Sequence, residues 1–224
     1  MLGNLKTGHR YSLIVFDWDG TLFDSAAVIA DCIQQAARDM ALPVPDRQTA
    51  RHVIGLGLND SLRHALPALP PDRYPEFLAL YRGYFLERED SLSLFPGVAE
   101  LVADLKQRGH RLAVATGKPR RSLERALQAS GIGPLFAASR CGDETRPKPD
   151  PAMLLELLRE LEIDRESGLM IGDTSHDLQM ARSAGVDAVA VSYGAHPGET
   201  LRALVPRACV ASVEELRQWL TANA

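Results

Sequence analysis

The sequence has no apolar run near the roughly 18 residues that a membrane-spanning helix needs, so neither a helical membrane protein nor a membrane partner is expected. Cysteine is scarce. Cys32, Cys141 and Cys209 are odd in number and lack C-x-x-C spacing, which argues against a disulfide framework or a zinc knuckle and for buried or bystander thiols. Positive charge is not in excess: 25 Lys plus Arg face 29 Asp plus Glu, for a net charge of -4. The broad positive field used in non-specific nucleic-acid binding is therefore missing, and no nucleic-acid partner is expected. The start, from Met1 to Arg10, lacks the apolar centre of a signal peptide, so the expected location is a reducing cytoplasm. Internal repeats and low-complexity tracts are also absent. What remains is a chain of 224 residues, 46% hydrophobic and 24% charged, the profile of a water-soluble protein with one large domain or one domain carrying an inserted second.

Short, apolar, β-branched segments recur along the chain and are followed at once by charged or turn-forming residues. They lie at 12–16, 111–115, 169–171 and 188–191, with a weaker one at 209–210. Such segments read as buried strands of a parallel sheet. Amphipathic helical patterns separate them, at 98–108 before Gly109, at 120–130 before Gly131, and at 151–161 with proline in the first turn. Alternating strands and helices predict an α/β fold with a doubly wound, Rossmann-like parallel sheet. Residues 24–94 break that alternation. Helical patterns at 26–40, at 50–66 around Gly55-Leu56-Gly57, and at 74–88 after Pro70-Pro71 predict an all-α insert that returns through Phe95-Pro96-Gly97. The expected division is a core of 1–23 and 95–224 with an insert of 24–94.

Chemistry-bearing residues follow the predicted strands. Asp17-Trp18-Asp19-Gly20-Thr21 stands after the first, placing two carboxylates two residues apart with a glycine for an unusual turn. Ligand sites in open α/β sheets lie at those carboxyl ends. Thr116-Gly117-Lys118 ends the next strand just before a helix, where a hydroxyl and free N–H groups suit an anion. Three prolines stiffen Arg146-Pro147-Lys148-Pro149-Asp150-Pro151 around one lysine, a rigidly presented cation for phosphate. Asp173 and Asp177 then follow the strand at 169–171. Each element has an ordinary structural explanation, as an N-cap or a turn. In order at successive strand ends, they make a phosphoryl-transfer site.

With these four motifs the sequence resembles the haloacid dehalogenase superfamily of aspartate-nucleophile phosphatases. Gly20-Thr21-Leu22-Phe23-Asp24-Ser25 and Phe95-Pro96-Gly97 resemble its phosphoglycolate-phosphatase-like branch with an α-helical cap. The resemblance implies hydrolysis of a small phosphorylated metabolite, 2-phosphoglycolate by branch, with Asp17 as nucleophile and Asp19 as general acid and base. It implies Mg²⁺ held by Asp17, the Asp19 backbone carbonyl and Asp173, with Asp177 orienting a metal-bound water. Thr116, Gly117 and Lys148 would hold the phosphoryl group, with Gly20 beside them and Lys118 either helping or only closing the site. Arg51 and the Gly55–Gly57 segment would face the substrate from the cap. His52, His64 and His176 are read as surface or core histidines, since Asp19 already moves the proton. Relatives often carry asparagine at the place of Gly117 and leucine at that of Trp18, and Trp18 is expected near the cap interface. A β-phosphoglucomutase-like sugar phosphomutase and a non-catalytic phospho-accepting or metabolite-binding module remain open, as does the choice between monomer and homodimer.

Overall fold

The computed structural model describes residues 10–224, so the expectation that the start carries no signal peptide falls on residues outside those described. In chain order the elements are β1 (Leu13–Phe16), α1 (Ala26–Asp39), α2 (Arg47–His52), α3 (Leu58–Ala65), α4 (Tyr74–Glu89), α5 (Val98–Gln107), β2 (Arg111–Thr116), α6 (Arg120–Ser130), β3 (Ala138–Cys141), α7 (Ala152–Glu160), β4 (Gly168–Gly172), α8 (Ser175–Ala184), β5 (Asp187–Val191), α9 (Gly198–Arg202), β6 (Ala208–Val210) and α10 (Val213–Asn223). The six strands form one parallel sheet in the order β3-β2-β1-β4-β5-β6.

β1 is buried on both faces, and its period-two alternation divides the core. Ile14 and Phe16 join one hydrophobic cluster, completed by Leu101 and Leu105 of α5, Leu123 of α6 and Leu216 of α10. Leu13 and Val15 join the opposite cluster, closed by Leu154 and Leu157 of α7 and by Met180 and Ala184 of α8. A third cluster belongs to the insert, where Ile29, Ile33 and Ala37 of α1 pack with Leu62, Phe77 and Phe85. The all-α insert therefore has its own core. Its two chain crossings lie side by side: Phe23 and Leu94 form an antiparallel bridge, the Asp24 N–H donates to the Ser93 carbonyl at 3.0 Å, and the Phe95 N–H donates to the Leu22 carbonyl at 3.0 Å.

Three details differ from the sequence reading. β3 is a sixth strand, at the edge of the sheet, and its half-buried Ala-Ser-Arg-Cys run has neither the length nor the apolarity of the central strands. The helical pattern at 50–66 is two helices, because Gly55 adopts φ +89°, a left-handed conformation that ends a right-handed helix. Pro151 is the N-cap of α7 rather than a residue of its first turn. No helix among the described residues is long and apolar enough to cross a membrane.

Candidate active site

Three adjacent strands of the sheet converge on one point. Asp17 follows β1, Thr116 is the last residue of β2, and Asp173 follows β4, so all three stand at carboxyl ends of neighbouring strands. The chain turns sharply after Asp17: the Trp18 carbonyl accepts from the N–H groups of Leu22 and Phe23, both at 3.0 Å. Gly20, at φ +87°, makes this turn possible, and a Cβ there would lie 2.2 Å from Asp173 Oδ2. The glycine thus brings the first and last motifs into contact. Its N–H is spent on the Phe23 carbonyl at 2.8 Å, so Gly20 presents no donor to a phosphate, contrary to the expectation for it.

Lys148 is fully buried. Its ammonium lies 2.7 Å from Asp17 Oδ1 and 2.6 Å from Asp177 Oδ1. Asp177 also closes the capping box of α8, accepting at Oδ2 from the Thr174 N–H at 3.0 Å and the Thr174 hydroxyl at 2.7 Å. Asp173 accepts from the Thr21 hydroxyl at 2.8 Å and the Ala195 N–H at 2.6 Å. Asp17 Oδ2, by contrast, is buried without a hydrogen-bond partner. Burial, opposed by Lys148 and reinforced by Asp177, pushes the Asp17 carboxyl up to about 7. Burial and the charges of Asp17 and Asp177 hold Asp173 well above the usual carboxylate range. Burial disfavours the Lys148 charge, but Asp17 and Asp177 outweigh it and keep the ammonium protonated.

Three buried carboxylates cluster here, only Asp17 and Asp177 in contact with the one ammonium, and the unpartnered Asp17 Oδ2 marks where the cluster is least compensated. Asp17, Asp173 and Asp177 each offer an oxygen within 4.8 Å of the others. An all-oxygen donor set of this kind fits a hard divalent cation.

Asp19 is held differently. Lys118 Nζ lies 3.0 and 2.8 Å from its two oxygens, and the Ser25 hydroxyl donates to Oδ1 at 2.7 Å. Lys118 in turn sits 5.0 Å from the centre of the Phe85 ring of α4, a cation–π contact between core and insert. Sequence reasoning left Lys118 undecided and missed Ser25 as a partner of Asp19; a hydroxyl six residues after a site aspartate carries no pattern of its own. Gly117 meets the insert directly, since a Cβ there would lie 2.7 Å from the Gly55 carbonyl oxygen and 2.8 Å from that of Leu56. An asparagine side chain would not fit beneath that backbone.

Two insert-related expectations change. Arg51 donates from Nε to the Ala195 carbonyl at 3.0 Å and from its terminal nitrogen to the Gly194 carbonyl. It ties α2 to the loop after β5 and does not line the cavity above Asp17. Beside it, His176 and His196 donate from Nε2 to the His52 carbonyl at 2.8 and 3.0 Å, while His196 Nδ1 accepts from the Ser175 N–H at 3.0 Å. Burial lowers His196 to about 4, so its ring is a neutral structural bridge. Trp18 is fully buried in the sheet-side cluster and stacked on Phe23, a residue of the crossing between core and insert, with ring centres 5.9 Å apart, and it does not line the cavity.

Above Asp17 and Asp19 lies a cavity of about 560 Å³. Thr116, Gly117 and Lys118 line it from the core, and Gly55 and Leu56 line it from the insert.

The family model for haloacid dehalogenase-like hydrolases matches residues 14–191. The chain belongs to this family. Among relatives of this hydrolase, a protein named probable phosphatase IndB from Dickeya dadantii (strain 3937) is 36% identical over 211 residues, covering 91% of each chain. A phosphoglycolate phosphatase from Vibrio cholerae is 33% identical over 199 residues, 84% of this hydrolase and 88% of that protein. Among solved structures, a predicted phosphoglycolate phosphatase from Haemophilus somnus superposes with a TM-score of 0.80 at 28% identity, covering 93% of this chain and 97% of that one. Its match over most of both chains agrees with a six-stranded parallel core carrying an all-α insert.

Proposed function

We propose that the protein is a Mg²⁺-dependent phosphatase that hydrolyses a phosphorylated metabolite through an aspartyl-phosphate on Asp17. In this reading residues 1–23 and 95–224 are the catalytic core and residues 24–94 the cap. The observation that carries it is the buried Asp17 carboxylate, with one oxygen on Lys148 and the other unpartnered, at the floor of a cavity closed by the insert.

Asp17 Oδ2 and Asp173, with the Asp19 backbone carbonyl, would hold the cation, which supplies charge neutralisation to the phosphoryl oxygens. Lys148 screens the Asp17 carboxylate from the incoming dianion, and Asp177 holds Lys148 from the far side. The Thr116 hydroxyl and the Gly117 N–H orient the phosphoryl group. Asp17 attacks phosphorus, the bond to the alcohol breaks, and Asp19 gives the alcohol its proton. Asp19 then takes a proton from the water that cleaves the aspartyl-phosphate. Ser25 and Lys118 fix the direction of its carboxylate. The insert keeps bulk water from the phosphorylated aspartate.

The relatives' names make 2-phosphoglycolate the first ester to test. Phosphate release should require Mg²⁺, stop with chelator, and fall at least about a thousandfold in Asp17→Asn with the circular dichroism unchanged. Turnover retained in a folded Asp17→Asn variant would falsify the mechanism.

A further inference from the structure

The cavity is far larger than a two-carbon acid needs, and its wall has the wrong chemistry for one. At about 560 Å³ it is within the range of pockets that enclose drug-sized ligands. Filled with solvent it would hold on the order of a dozen and a half waters at about 30 Å³ each.

The wall opposite Asp17 and Asp19 comes from the insert, and it is apolar. Ile29 and Ile33 of α1, Leu62 of α3, and Phe77, Leu78 and Phe85 of α4 line it, and all but Leu78 are buried. Tyr81, stacked on Phe85 with ring centres 6.2 Å apart, adds a second aromatic face. A carboxylate set against this wall would lose its hydration and meet one uncommitted side-chain donor, the Tyr81 hydroxyl, since that of Ser61 is spent on the Val53 and Gly57 carbonyls. The insert arginine expected to receive such a group, Arg51, is committed to backbone carbonyls outside the cavity. Lys118 is already paired with Asp19. The remaining cations of the lining, Arg82, Arg121 and Arg125, are exposed, and Arg125 also reaches Glu89 at 3.5 Å.

We propose that the alcohol released by this enzyme is bulky, apolar and ring-bearing, and that 2-phosphoglycolate is a poor substrate. The inference rests on the phosphatase reading above and specifies its substrate class. The phosphoryl group occupies the Asp17 floor, and the ring lies between the aliphatic wall of α1 and α3 and the aromatic wall of α4. Offset or edge contact with Phe77, Tyr81 and Phe85 favours a flat ring over a flexible chain. The exposed arginines attract the dianion toward the opening without recognising the alcohol.

The test uses primary alcohols, so that leaving-group chemistry does not decide the outcome. With Mg²⁺ present, kcat/KM is measured for 2-phenylethyl phosphate, ethyl phosphate and 2-phosphoglycolate. The expected result is at least a tenfold preference for the phenylethyl ester over both others. Ala65, a buried residue of the lining, provides the variant: Ala65→Phe fills the chamber and should reduce that preference at least tenfold. Should the variant not fold, inhibition of p-nitrophenyl phosphate hydrolysis decides instead, with 2-phenylethylphosphonate expected to bind at least tenfold more tightly than ethylphosphonate. An active enzyme that prefers ethyl phosphate or 2-phosphoglycolate overturns this substrate class and leaves the phosphatase standing. Release from none of the esters removes the phosphatase reading, and this inference with it.

Discussion

Lys148 is the residue on which the buried charge balance turns. Among the described residues it alone pairs with both Asp17 and Asp177, and Lys148→Met leaves two buried carboxylates without their ammonium. Breaking a buried pair this way costs about 3–5 kcal/mol, so denaturant titration should show a loss of that order, partly restored by Mg²⁺. Asp17 makes the complementary prediction. Burial pushes its carboxyl up to about 7, above the usual carboxylate range, so the native state holds the proton more tightly than the unfolded chain does. Without metal, its contribution is fully present below about pH 4 and is lost as pH rises toward 7. Thermal melts of metal-free protein between pH 5 and 8 should therefore show this destabilising trend, and the increase in Tm caused by Mg²⁺ should grow over the same interval. An increase independent of pH would mean that the ion does not meet Asp17. At this scale the gathering of Asp17, Thr116 and Asp173 was legible because parallel-sheet topology dictates where strand-end residues meet, and Lys148 stood out through the three prolines that stiffen its loop. Arg51 and Gly20 were not, since their partners are backbone groups, Gly194 and Ala195 for one and Phe23 for the other, which no side-chain pattern reveals.

Among the elements, α2 has the most consequential contacts for its six residues. Its last two residues engage the core: Arg51 donates to two carbonyls, and the His52 carbonyl accepts from two imidazoles. Hydrogen bonds to a charged donor contribute about 1.5–3 kcal/mol. Arg51→Ala should thus speed amide exchange in α2 and in the 194–196 loop by at least tenfold while β1 and β2 keep their protection. Equal exchange in both proteins would mean that the histidines carry the tie alone. The same region explains why one predicted helix is two. A helical period ran through 50–66, but Gly55 reverses its backbone so that Gly55 and Leu56 can lay their carbonyls over Gly117. β3 escaped notice for the opposite reason: an edge strand buried on less of its surface needs little apolar character, so Ser139 and Arg140 look like loop residues.

For the whole molecule, the division of labour follows from the three largest hydrophobic clusters among the described residues. The two faces of the sheet bury their own side chains against α5, α6 and α10 on one side and α7 and α8 on the other, while the insert buries its own. This organisation was legible because the strand rhythm stops at one point and resumes at another. What the insert recognises was not, since the cavity is formed by residues from α1, α3 and α4 that no spacing connects. The bridge between Phe23 and Leu94 carries this separation further. The core meets everything from 24 to 93 as a loop whose ends are already fastened together, and closing a longer or shorter loop between fixed ends changes its entropy only slowly. The helices are consequently a cassette. A foreign helical segment grafted between those two residues, with Ser25 kept for Asp19 and an aromatic ring kept for Lys118, should leave the surroundings of Asp17 in place and change which phosphoester is accepted, so that selection can rewrite the diet of such an enzyme while keeping its reaction.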